Sequence, residues 1–443
     1  MAKKQPAKAP PPASAPILPA PTTVGGAAYP LSAVRRLALH TQGLTTPNGA
    51  ESTPDLDAIA RTIHQLVCVQ IDTLHLVQRS QYLCLWSRLG TYDPADLDRA
   101  AYGDPADRKG TRRLYEYWLK EASLIPLEDF RYSLTKMHHY RNGGRRWFLN
   151  WRENPENAAL IAHIMGRIEA EGGLRGADFE YKGEKRGSWW DWKPAKLALE
   201  GLYNEGYLMI EHRVNFQRVY NLTERVLPDW VDRTEPTPDE THRHLLIRAL
   251  RALGAAGPHH IGHYVRIGPK AARPVLNDLI RTGEVHPIQV EQVGGGTAKY
   301  LIHRDDLPTL QRAADGEIAA PRTTFLTPFD NLMWGIGREL QLWGFKQILE
   351  CYKPAPQRIW GYFCLPILHK DRLIGRFDPK LERATGVLRI KALHLEPGIA
   401  PEAGMVADVA AAMRDFMKFH KAKTLVIEAS NPPEFGAALM RAM

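Results

Sequence analysis

Twice along this chain a helical run stops at a glycine and gives way at once to two short apolar strands. That repeated unit restricts the fold more than any other feature. In the first copy Ala195, Ala198, Leu199 and Leu202 recur at helical spacing in a helix opened by 189–194. It stops at Asn204-Glu205-Gly206 and continues into strands over 207–210 and 218–222. The second copy has a helix over 269–282, stops at Gly283-Glu284, and continues into strands over 285–292 and 297–302. The Gly294-Gly295-Gly296 run between them suits a tight connection with positive φ. A further helical run precedes each copy. Asn154-Pro155 supplies a capping side chain and a residue that needs no amide partner, ahead of Leu160, Ile161, Ile164 and Ile168. Leu245, Ala249, Leu250 and Leu253 mark the other, over 241–254. Helix, helix and two-stranded wing is the winged-helix order, in which the second helix enters a DNA groove and the wing touches backbone. The same plan also serves dimerisation and scaffolding.

The remaining segments fit around that repeat. Helices are expected over 31–44, through 66 with Pro54 one turn into that second helix, and over 79–89 up to Gly90; Cys68-Val69-Gln70-Ile71-Asp72 reads as an extended segment. After Pro321 the texture changes to short, turn-separated runs at 324–326, 358–363, 365–368, 373–377, 387–390 and 392–395. These predict an antiparallel sheet or small barrel with Arg376, Asp378 and Lys380 on its polar rim, followed by a final helix over 405–420. The expected class is α+β, tandem winged-helix domains with a C-terminal antiparallel β-barrel. At 443 residues the chain exceeds one core. The expected division is an Ala/Pro-rich tail over 1–28, winged helices over 29–150, 151–240 and 241–320, and the barrel with its terminal helix over 321–443.

Charge placement points to a polyanionic partner. Arg131, Lys136, Arg141, Arg145 and Arg146 follow one another with no intervening acid, in a chain of net charge +9. Cys68, Cys84, Cys351 and Cys364 form no CxxC pair, so no disulfide framework, zinc site or other metal is expected. His138-His139 and the group His259, His260 and His263 lack the spacing of a ligand set. No cofactor is expected. The N-terminal tail lacks the continuous apolar stretch of a secretory signal, and no run approaches the roughly 20 apolar residues of a membrane span. The expectation is a monomer in the cytoplasm, at the nucleoid, with no membrane partner.

Several stretches, in order, resemble the YcaQ/AlkZ family of winged-helix DNA glycosylases. They include Val69-Gln70-Ile71-Asp72-Thr73 with Arg79, Leu85-Trp86-Ser87-Arg88-Leu89-Gly90, and Leu114-Tyr115-Glu116-Tyr117-Trp118. Further ones are 190–200, Phe216-Gln217-Arg218-Val219-Tyr220, 222–226, 326–330 and 360–380. The resemblance implies excision of alkylated purines such as N7-alkylguanine from double-stranded DNA, extending to interstrand crosslinks. It also implies a catalytic Gln-apolar-Asp motif, here Gln70-Ile71-Asp72, which is the YcaQ-like form.

The chemistry of such a motif follows from its geometry. In an extended segment Gln70 and Asp72 project from one face and Ile71 from the other. A carboxylate beside the sugar stabilises the positive charge that develops as the base leaves and accepts a proton from attacking water; an amide orients that water. A cationic base departs without a strong general acid, so an open channel suffices. With no lysine in the motif, the reaction expected is monofunctional hydrolysis. Locally, Asp72 also fits a helix cap or a partner for Arg79. Glu116 either lines the same cleft or forms a buried ion pair with Arg112 or Arg113. Arg79 and Arg88 either contact phosphate or brace the first domain, and Lys193, Lys196, Arg213 and Arg218 are phosphate-contact candidates. A winged-helix transcription regulator is the alternative; it leaves the Gln-Ile-Asp segment without a role. A nuclease is a third reading, against which the lack of a carboxylate-histidine metal cluster counts.

Overall fold

The computed structural model describes residues 28–47, 54–179 and 194–443. Most of the tail and Lys193, with 189–192 before it, lie outside them. The described chain carries three small three-stranded sheets and one larger sheet, with helices packed between.

The first sheet holds β1 (Val69–Gln70), β2 (Leu114–Trp118) and β3 (Ala122–Pro126) in the antiparallel order β1-β3-β2. Helix Leu56–Gln65 begins after Pro54, with Asp55 capping the Ala58 amide, so the proline precedes the helix instead of lying inside it. Helix Ser80–Leu89 ends where Gly90 takes φ +76°. Strand β2 is buried on both faces, Tyr115 and Tyr117 included.

The two repeat copies each fold as helices followed by a hairpin, two helices in the first copy and three in the second. Asn154 caps helix Pro155–Glu171 through the Glu156 amide, and β4 (Leu174–Arg175) follows. Helix Pro194–Asn204 then stops before Gly206, at φ +75°, and leads into β5 (Leu208–Val214) and β6 (Gln217–Leu222), giving the order β4-β6-β5. In the second copy Thr237 and Glu240 form a reciprocal cap on helix Pro238–Leu253. Strand β7 (Ala255–Ala256) follows. Helices Pro258–Tyr264 and Pro269–Arg281 then lead to β8 (Val285–Glu291) and β9 (Thr297–His303), in the order β7-β9-β8.

The C-terminal sheet departs from the expected antiparallel barrel. β10 (Thr323–Phe325), β11 (Leu365–His369), β12 (Arg372–Glu382) and β13 (Val387–Leu395) are antiparallel neighbours. β14 (Thr424–Ile427) and β15 (Ser430–Asn431) pair parallel to β13. The sheet is therefore mixed, and among the described residues its outer strands β10 and β14 do not pair with each other. Helix Ala403–Phe419 makes the parallel return possible, and Phe416 from it meets Trp86, Phe325 and Phe377 edge-on. It is not the last helix: Pro433–Ala442 follows. Arg376 and Asp378 are buried braces, not rim residues. Arg376 pairs with Glu396, and Asp378 accepts the amides of Tyr362 and Phe363. Residues 358–363 form no strand because their amides turn to Glu350 and Asp378.

Candidate active site

Strand β1 places the Gln-Ile-Asp segment at the edge of the first sheet. Gln70 lies opposite Ser123, and the pairing runs on through the Ile71 amide, which donates to the Ala122 carbonyl at 2.7 Å. Burial alternates along it: Val69 and Ile71 point inward, while Gln70 and Asp72 are half-buried on the other face. Two rows of chemistry thus flank one strand.

The Asp72 carboxylate is held in a turn. Its Oδ2 accepts the Leu74 amide at 3.0 Å, and its own amide donates to Gln81 Oε1 at 3.2 Å. It does not cap the next helix, which starts at Ser80. Burial pushes the carboxyl above the ordinary aspartate range, against the amides of Leu74 and Thr73 and the charge of Arg79. A carboxylate shifted this way is a stronger base than a solvated one. The same charge is felt at 351–352: after burial it helps raise the Cys351 thiol, and after burial and Cys351 it helps raise the Tyr352 phenol.

On the Ile71 side lie two cavities of about 570 and 450 Å³ that share Ile71, Arg213 and Phe216. Thr73, Lys196 and Arg218 line the larger and Arg79 the smaller. Neither is lined by Gln70 or Asp72.

The arginines between these cavities are committed inward. Glu116, fully buried, receives Arg213 Nη2 at 2.6 Å and Arg218 Nε at 2.7 Å. Burial opposes its charge, yet the two guanidiniums hold its carboxyl below the usual range. Its partners are therefore not Arg112 or Arg113. Arg112 is buried and donates to the carbonyls of Tyr102 and Ile210, and Arg113 pairs with Asp57 at 3.3 Å. The hairpin tip completes the latch. Asn215 and Phe216 both take positive φ, and the Phe216 ring has the guanidiniums of Arg79 and Arg213 at 3.8 and 4.3 Å from its centre. This hairpin folds back onto the first sheet instead of projecting outward. Arg88 resolves toward bracing: it is 4% exposed and bonded to Asp330, Gln42 and Ser87, with no surface to offer a phosphate.

Sequence reading missed Lys120, at the β2–β3 turn. Its Nζ lies 2.9 Å from His263 Nδ1 and 5.3 Å from the centre of the Trp334 ring. Burial, with help from Arg266, pushes its ammonium down to about 8. A three-residue turn between Leu114-Tyr115-Glu116-Tyr117-Trp118 and Ala122-Ser123-Leu124-Ile125 is the one local signal that could have found it. Among the described residues no group of three or more His, Cys, Asp or Glu side chains is arranged to hold a metal ion, and no helix is long and apolar enough to cross a membrane.

Comparison with known proteins fits this geometry. The structure is similar to that of the Streptomyces sahachiroi DNA glycosylase AlkZ, with a TM-score of 0.59 at 15% identity, over 91% of this chain and 100% of that one. The likeness extends to the α+β fold. The family model described as "AlkZ-like: DNA glycosylase AlkZ-like" matches residues 63–419. A match over most of the length, including β1 and strands β10 to β13 of the C-terminal sheet, places the chain in the AlkZ-like family of DNA glycosylases.

Proposed function

We propose that this DNA glycosylase hydrolyses the N-glycosidic bond of cationic, alkylated purines such as N7-alkylguanine in double-stranded DNA, and unhooks crosslinks that contain them. Asp72 is the catalytic carboxylate and Gln70 orients the water. The observation that carries this reading is the pairing of β1. It fixes Gln70 and Ile71 on Ser123 and Ala122, and the turn just beyond leaves the basic Asp72 carboxylate half-buried, as Gln70 is, while Ile71 is buried. The carboxylate stabilises the oxocarbenium-like sugar and takes the proton of the attacking water, leaving an abasic site. An already cationic base leaves without an acid, and no enclosed pocket is needed. Both nearby cavities open on the Ile71 side, which supports an open reacting face that tolerates bulky adducts.

In this reading the chain acts as a monomer in the cytoplasm, at the nucleoid. The three small sheets and their helices are winged helices, divided as the sequence suggests, and Lys196 and Arg79 contact phosphates. Arg213 and Arg218 line the larger cavity and hold Glu116.

The test is Asp72→Asn under single-turnover conditions on N7-methylguanine duplex, with DNA binding measured alongside. Excision is expected to fall by at least a hundredfold with binding retained. An unchanged rate removes Asp72 from catalysis. A protein that instead protects one undamaged sequence is a regulator.

A further inference from the structure

The segment between Glu350 and Trp360 is a short loop closed on itself. Glu350, 2% exposed, accepts the Trp360 amide at 2.7 Å, the Ile359 amide at 3.0 Å and Lys353 Nζ at 2.9 Å. Arg358 Nε donates across the loop to the Lys353 carbonyl at 2.9 Å. Just beyond, Gly361 lies so close to Asp378 that a Cβ there would sit 2.5 Å from Oδ2. Both ends are thus pinned to buried carboxylates.

This closed loop displays what such order ordinarily hides. Tyr352 is 84% exposed and Ile359 67%. They are the two most exposed large apolar side chains among the described residues, and two cations, Lys353 and Arg358, share their loop. Tyr352 and its neighbour Cys351 also stand close enough to Asp72 for its charge to reach both side chains. A rigid apolar tip flanked by cations, beside a carboxylate that must approach a sugar inside a duplex, has the chemistry of a base-stack wedge. Apolar side chains unstack a base step while cations hold the phosphates either side.

We propose that Tyr352 is the residue that enters the duplex at the lesion, opening the step next to the alkylated base so that Asp72 and Gln70 reach C1′, with Lys353 and Arg358 on the flanking phosphates. This rests on the proposed excision at Asp72. It adds the means by which the proposed open site gains access to the sugar.

The test places 2-aminopurine beside N7-methylguanine in a duplex and follows its fluorescence when protein binds. The background is Asp72→Asn, so that no excision intervenes. Unstacking brightens the probe. Tyr352→Ala is expected to abolish the rise, and Tyr352→Phe and Tyr352→Trp to retain it. In the otherwise unaltered enzyme, Tyr352→Ala is expected to slow single-turnover excision from duplex roughly tenfold or more, the scale of one lost stacking contact, and Phe to restore it. A rise that persists with alanine, its absence in every variant, or Phe and Trp as impaired as Ala overturns the proposal. The fluorescence arm separates the two readings. A Tyr352-dependent rise in a protein that excises nothing leaves the wedge standing and removes the excision chemistry.

Discussion

Arg88 and Asp330, 242 positions apart, meet end to end in the interior, with Nη1 2.7 Å from Oδ2 and Nη2 2.8 Å from Oδ1. Gln42 closes the other side of the guanidinium with its carbonyl and its Oε1. This one fork joins the helix after the Gln70–Asp72 segment to the connection between β10 and β11 of the C-terminal sheet. Breaking a buried pair leaves a charge without its partner, at about 3–5 kcal/mol. Arg88→Ala is therefore expected to lower unfolding stability by about that much in a urea titration. A phosphate-contacting arginine would behave otherwise: its removal would leave the urea midpoint in place and flatten the salt dependence of DNA binding.

Glu116 yields a prediction with a pH signature. Because its carboxyl is depressed in the folded protein by Arg218 and Arg213, against its burial, the stability it contributes is present above the unfolded carboxyl pKa, about 4.3. It is lost as pH falls through the folded value. Glu116→Gln is expected to lower the melting temperature at pH 7, and the gap from the unaltered protein should narrow once pH drops below about 4.3. A gap constant down to pH 3 would show that shape, not charge, holds the hairpin against the first sheet.

The sequence made the repeat legible because its signals are local: Gly206 and Gly283 both take positive φ where a helix must hand over to a strand, and Asn154 caps where expected, whereas Thr237 caps a helix that begins ahead of the expected start at 241. The Gln70–Asp72 segment was legible for the same reason, since alternation along an edge strand follows from neighbours one and two positions away. Strand β2 was not. Buried on both faces, its Leu114-Tyr115-Glu116-Tyr117-Trp118 run shows no alternation. Partners set by long-range packing were equally hidden. Nothing near Glu116 in sequence separates Arg112 and Arg113 from Arg213 and Arg218, and only the folded-back hairpin chooses between them. The parallel pairing of β14 on β13 depends on an intervening helix whose destination its own periodicity does not encode.

The pH dependence of excision should report Asp72 directly. Burial raises its carboxyl and the charge of Arg79 draws it back. The proposed reaction needs the ionised form, so the acid limb of the single-turnover rate is expected above the ordinary aspartate value of about 3.9. Arg79→Gln removes a charge that favours ionisation, so the limb should move to higher pH. A limb that stays put or shifts downward would mean that another group controls the rate. The same shift predicts a stability effect of opposite sense to that of Glu116. A group whose folded pKa is raised favours the fold below its unfolded value and loses that contribution as pH rises through the folded one. Asp72→Asn is thus expected to melt higher than the unaltered protein at pH 7 and not at pH 3, the sign of an active site that trades stability for chemistry.

Gly361 supplies the last prediction, because its φ of +145° and its approach to Asp378 leave a side chain no room. The Asp378 atoms in the way include Oδ2, which holds the Tyr362 amide, so a methyl group must either displace that carboxylate or push the chain outward. Strain of this kind costs about 1–3 kcal/mol. Gly361→Ala is expected to lower stability by that order in urea. It should also release the end of the loop that carries Tyr352, while the Asp72 turn, which hangs on Leu74 and Gln81, is untouched. Excision from duplex should then fall with no movement of the acid limb of its pH profile. A limb that moves would show that the strain reaches Asp72 itself, and a stability unchanged from glycine would show that the loop relaxes freely and is not held by Asp378.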